Sequence, residues 1–137
     1  MLFLTLDNRL VNMNLKGSLK QKSKSALQET VKKQLVSFFP LDKIIEEWKI
    51  PGAKLFVDFF LPQRKAAIEV QSSIHDKHTD FFHGKDKHLQ DKFLKQKKRD
   101  INKKIFCEKN DITLYEIYSE DEILETLENI KRESSCG

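Results

Sequence analysis

The chain has 137 residues, 34% of them charged, with a formal net charge of +4. That length suits one domain rather than two, and it allows a core large enough to need no covalent staples. Its two cysteines, Cys107 and Cys136, are too few for a disulfide framework, and no run approaches the ~20 apolar residues of a membrane span.

The N-terminal MLFLTLDNRL has no preceding basic segment and is interrupted by Asp7, so it does not read as a signal peptide. A reduced, intracellular, cytoplasmic protein with no membrane association is the expectation. Residues 1–11 suggest a short strand. Residues 12–24, polar and basic around Gly17, suggest a loop or mobile arm. The expected organisation is therefore a strand and basic arm over 1–24, a single domain over 25–132 and a flexible tail over 133–137.

A helix is predicted over 25–39. Ser25 can cap it, Leu27, Val31, Leu35 and Phe38 recur at helical spacing, and Pro40 ends it. Residues 41–49, with Ile44, Ile45 and Trp48, suggest a short helical turn closed by Pro51-Gly52. Two strands follow, 54–61 and 66–71, joined by Pro62-Gln63-Arg64-Lys65 as an antiparallel hairpin. The first is apolar on both faces, as suits a central strand. Residues 72–88 are polar, hold all four histidines and read mostly as loop.

A long helix is predicted over 89–109, with Leu94, Ile101 and Ile105 as its apolar stripe and Lys92, Gln96, Arg99 and Lys103 nearly opposite. Residues 112–118 read as a third strand. Ser119 and Glu122 form a capping box, and Ile123, Leu127 and Ile130 continue a last helix. The fold class is thus α/β (α+β with a mixed sheet), a small sheet flanked by helices in the order helix-strand-strand-helix-strand-helix. The second and third strands flank a helix and are expected to pair in parallel through a crossover.

Chemistry concentrates in 54–71. Asp58 interrupts the first apolar strand, and Glu69 and Gln71 end the second on one face. Buried carboxylates are costly without a partner. Mg²⁺ takes oxygen ligands and usually one or two protein carboxylates, with water and phosphate oxygens completing its shell. Asp58 and Glu69 can supply those two, and Gln71 can orient a water or a phosphate oxygen. The alternative is that both acids serve ordinary ion pairs with Lys or Arg.

The order of LFVDFFLP, IEVQSSIH, FFHG and KQKKRDINKKIFCEKNDITLYEI resembles the PD-(D/E)xK (restriction-endonuclease-like) nuclease superfamily. The resemblance is to the branch of very-short-patch-repair and phage homing endonucleases, and it covers roughly half to two-thirds of the chain. It implies a restriction-endonuclease-like core and a DNA endonuclease using Mg²⁺, with Mn²⁺ able to substitute. It also implies metal binding by Asp58 and Glu69, a His near the metal at His75, and a helical acidic residue at Glu29. The chain departs from the pattern at Gln71, where relatives carry Asp or Lys, and at Ser72, where they commonly carry Gly. Glu29 lies on the opposite side of its helix from Leu27 and Leu35.

Residues 85–104 contain nine Lys or Arg against three Asp, while 116–133 contain seven acidic residues against two basic. Lys92, Lys95, Lys98, Arg99 and Lys103 are candidate DNA-backbone contacts; the plainer reading is a solvated helix face. His75 suits proton transfer near neutrality, and His78, His83 and His88 read as surface residues because zinc-finger spacing is missing. The second reading is the same fold with its chemistry lost, binding nucleic acid only; the third is a structure-specific nuclease for junctions or flaps acting as a homodimer. The Lys-rich, Gly-poor composition is compatible with a phage or an AT-rich genome.

Overall fold

A computed structural model describes residues 1–71 and 87–135. Strands β1 (Leu2–Leu4) and β2 (Leu10–Asn12) pair antiparallel, so the expected single strand is one arm of a hairpin. Helix α1 (Ala26–Phe38) is capped as expected: the Ser25 side chain accepts from the Gln28 amide.

The expected helical turn at 41–49 is instead strand β3 (Ile45–Lys49). Glu47 explains the difference, because its φ of +52° is left-handed. It breaks the strand's alternation and lets Ile45 and Trp48 join one hydrophobic cluster. An apolar pair three residues apart mimics helical spacing, although the backbone is a strand locally kinked at one residue.

Strand β4 (Phe56–Leu61), a 3-10 turn (Pro62–Arg64) and strand β5 (Ala66–Val70) form the expected antiparallel hairpin. Helix α2 (Lys87–Lys109) begins two residues earlier than expected. It leads to strand β6 (Thr113–Ile117), which pairs with β5 in parallel as the crossover required. A 3-10 turn (Glu120–Glu122) precedes helix α3 (Ile123–Ser135), which extends into the expected tail. The expected capping box is replaced by other bonds: the Glu122 carboxylate accepts from the Tyr118 amide at 2.9 Å and from Ser119 Oγ at 3.3 Å, and the Glu122 amide donates to the Ser119 carbonyl.

Among the described residues the result is a mixed α+β fold with a sheet ordered β3-β4-β5-β6 and three helices. On one side Phe59, Leu61, Ile68 and Ile117 pack with Val31 and Leu35 of α1 and with Leu127 and Ile130 of α3. On the other side Phe60, Ala67 and Trp48 pack with Phe3 of the N-terminal hairpin and Phe106 of α2. Trp48 stacks on Phe60 with ring centroids 4.1 Å apart.

The buried side of α2 is not the expected stripe. Leu94, Ile101 and Ile105 are exposed by 58%, 49% and 39%, whereas Phe106 and Cys107 are buried. Helical periodicity identifies faces but does not say which of them meets the sheet. Among the described residues no helix is long and apolar enough to cross a membrane.

Candidate functional site

Strand register brings Asp58 and Glu69 together. Phe59 pairs with Ile68 and Phe60 with Ala67, and Asp58 and Glu69 are the next residues beyond that ladder on the two strands, near enough for the Asp58 charge to act on Glu69. Both are nearly buried, at 4% and 8% exposure. Asp58 Oδ2 accepts from the Val70 amide at 2.7 Å, which locks the carboxylate against β5.

The row extends further than the sequence suggests. Glu46 and Trp48 pair with Phe59 and Val57, which brackets Glu47 opposite Asp58, and Glu69 pairs with Glu116. Four acidic residues therefore cross the sheet at one level, one per strand, and each meets a lysine. Lys20 pairs with Glu47, Lys24 with Asp58 at 2.9 Å, Lys103 with Glu69 at 3.3 Å and Lys104 with Glu116 at 3.8 Å.

Glu69 stands out within this row. Burial first, then the Asp58 charge, pushes its carboxyl up to about 7, although Lys103 and Lys24 pull it back. Burial likewise pushes the Cys107 thiol up to about 11, with the Glu69 charge adding to it. Burial alone would lower Lys24; its bond to Asp58, helped by Glu47 and Glu69, outweighs this and leaves the ammonium's pKa raised.

Gln71 is half-buried and donates its amide to the Ile117 carbonyl at 2.8 Å, continuing β5 toward β6. Glu29 lies in the first turn of α1, where its carboxylate accepts from the Ser23 amide at 3.0 Å and pairs with Lys32 at 3.2 Å. Lys92, Lys95, Lys98 and Arg99 are exposed on α2. Lys103 belongs instead to the carboxylates through Glu69. His75, His78, His83, Phe81, Phe82 and Ser72 lie outside the described residues, as does the side chain of His88.

Sequence reasoning missed Lys24, Glu47 and Glu116, which become neighbours of the pair only once strand register is known. It also missed a buried network around Glu46. That carboxylate accepts from Ser23 Oγ at 2.6 Å, Gln28 Nε2 at 2.7 Å and the Lys20 amide at 2.8 Å, and it pairs with Lys32 at 3.5 Å. Burial would raise the Glu46 pKa, but the bonds from Ser23, Gln28 and Lys20, with the Lys32 charge, hold it lowered.

Among the described residues no three His, Cys, Asp or Glu side chains converge as a metal-binding group. The donor set is the carboxylate pair itself. Two neighbouring buried acids, one with its pKa raised first by burial and then by the other's charge, fit a divalent cation, because the cation would offset both effects. A cleft of about 340 Å³ is lined by Lys20, Lys24, Glu47 and Phe56, and Lys24 links it to Asp58. A cavity of about 510 Å³ at the other end of β5 and β6 is lined by Arg64, Lys65, Thr113 and Tyr115, away from the acids. No protein-family model, curated protein or solved structure matches this chain.

Proposed function

We propose that this protein is a metal-dependent DNA endonuclease with a restriction-endonuclease-like core, hydrolysing phosphodiester bonds with Mg²⁺. The observation that carries the reading is the buried Asp58–Glu69 pair, on adjacent strands one residue beyond their ladder and near the carboxyl end of β5. In open α/β sheets that end of the parallel strands is where ligands bind. Asp58 and Glu69 would hold the cation. A cation bound there neutralises charge on the phosphate and favours deprotonation of an attacking water.

This chain's own groups would do the rest. Gln71 would orient the water or a phosphate oxygen by hydrogen bonding. Lys103 would moderate the charge on Glu69, and the basic side of α2 would hold the DNA backbone. His75 is proposed for proton transfer on the strength of the sequence alone.

The test is cleavage of plasmid and four-way-junction DNA by Asp58→Ala with Mg²⁺. Loss of the metal's charge stabilisation, worth several kcal/mol, is expected to cut the rate at least ~100-fold. Undiminished metal-dependent cleavage would remove the assignment.

A second reading is DNA binding without chemistry. It is favoured by the lysine already seated on each carboxylate and by Gln71, which has no basic group. Salt-sensitive DNA binding with no cleavage in Mg²⁺ or Mn²⁺ would decide for it.

A further inference from the structure

Lys24 reaches the carboxylates from outside the sheet. It sits on the segment that enters α1, and that segment is fixed by buried polar groups rather than by apolar packing alone. Glu46 binds Ser23 Oγ and the Lys20 amide, its own amide donates to the Ser18 carbonyl at 3.3 Å, and Lys32 Nζ donates to the Lys20 carbonyl at 2.7 Å. These bonds hold 18–23 against β3 and α1 and deliver the next residue to Asp58.

The head of Lys24 is placed differently from its anchor. Its ammonium lies 2.9 Å from Asp58 Oδ1, yet the side chain is 61% exposed while that of Asp58 is 6% exposed. Glu47 and Glu69 also act on its charge. A fixed base, a long flexible stem and an exposed cation on a buried anion describe a charge that can leave without disturbing the core. Lys24 itself lines a cleft there, together with Lys20, Glu47 and Phe56.

We propose that Lys24 is the resident counter-ion of the Asp58–Glu69 pair, and that a divalent cation displaces it into the adjoining cleft, where it binds the charge of a phosphodiester. This rests on the nuclease reading. It adds an occupant that the metal must displace and a substrate contact that follows the displacement. Competition of this kind lowers the apparent metal affinity by the fraction of molecules in which the site is already filled.

Two variants test it. Lys24→Met keeps the stem and removes the charge, and Lys24→Arg keeps the charge. Mg²⁺ and Mn²⁺ binding are measured by calorimetry without DNA. Duplex DNA binding is measured by fluorescence anisotropy in Ca²⁺, another oxygen-seeking cation.

Lys24→Met is expected to bind metal roughly fivefold more tightly, the worth of one partly exposed ion pair. It is also expected to bind DNA more weakly, with the slope of log affinity against log salt reduced by about 0.9. Lys24→Arg should resemble the wild type in both. A purely structural lysine would not move the two affinities in opposite directions.

Metal affinity that is unchanged or weaker in Lys24→Met overturns the proposal. If it stays unchanged while Asp58→Ala abolishes cleavage, the counter-ion role falls and the nuclease reading stands. If it rises while Asp58→Ala still cleaves, the counter-ion role stands and the assignment of cleavage to this carboxylate pair falls. If neither the wild type nor Lys24→Met binds metal, both fall.

Discussion

Glu69 is the residue whose environment departs most from that of an ordinary carboxylate. Burial and the Asp58 charge raise its pKa to about 7 from the ordinary glutamate value of 4.5. Between those values the folded state holds a proton that the unfolded chain has released, so stability must fall as pH rises through that window. In EDTA, the midpoint of urea unfolding is expected to be lower at pH 8 than at pH 5. The difference is at most about 3 kcal/mol. Glu69→Gln, which cannot ionise, should flatten this dependence and be the more stable of the two at pH 8. Equal pH dependence in both proteins would show that Glu69 is not the group responsible. The acid at Glu46 behaves oppositely, because four groups stabilise its charge. Glu46→Ala would leave the Ser23 hydroxyl, the Gln28 amide and the Lys20 amide without their acceptor, while Lys32 keeps Glu29 and the Lys20 carbonyl; Gln28 Oε1 already has no hydrogen-bond partner among the described residues. A loss of about 2 kcal/mol or more is expected on chemical denaturation, since a buried donor left without an acceptor costs about 1–3 kcal/mol.

Elements with redundant signals were legible from the sequence, and elements depending on one unusual residue were not. Helix α1 carries a cap, an apolar period and a terminating proline, and all three agree. The β4–β5 hairpin was legible from its alternation, and the parallel return of β6 followed from the helix between the strands. Strand β3 was hidden because the left-handed Glu47 gives a strand the spacing of a helix. That concealed Glu47, the β3 member of the acidic row; Glu116 lies on the expected third strand, but its place beside Glu69 depends on the β5–β6 register. The β4–β5 turn has its own left-handed residue, the exposed Lys65, at φ 50° and ψ 48°. An L-residue there costs roughly 1–2 kcal/mol that glycine avoids, less the greater entropy glycine loses on folding. Lys65→Gly is therefore expected to stabilise the fold by about 0.5–1 kcal/mol in urea melts, whereas Lys65→Val should destabilise it.

Across the whole molecule, the orientation of α2 decides how its charge is used. Had the stripe of Leu94, Ile101 and Ile105 met the sheet, the lysines would point away from Asp58 and Glu69. The helix is turned the other way: Lys103 meets Glu69, with Phe106 and Cys107 one turn further on. Lys92, Lys95 and Arg99 precede Lys103 by eleven, eight and four residues and share its side of the helix, while Lys98 falls off it. A DNA backbone engaged at the carboxylates would run along that side. Replacing Lys92, Lys95 and Arg99 together by Ala is then expected to reduce the salt slope of duplex binding by about 2.7, at ~0.9 per phosphate contact. Lys98→Ala should change it by much less than one such contact. Lys103→Ala should leave the slope largely intact and instead raise the Glu69 pKa further, because an opposing positive charge is removed. Anisotropy titrations between 50 and 200 mM KCl separate these cases, a range over which a protein making several phosphate contacts loses orders of magnitude in affinity. A slope lost equally at Lys98 and at Arg99 would mean that the basic residues act as a diffuse field rather than as one aligned face.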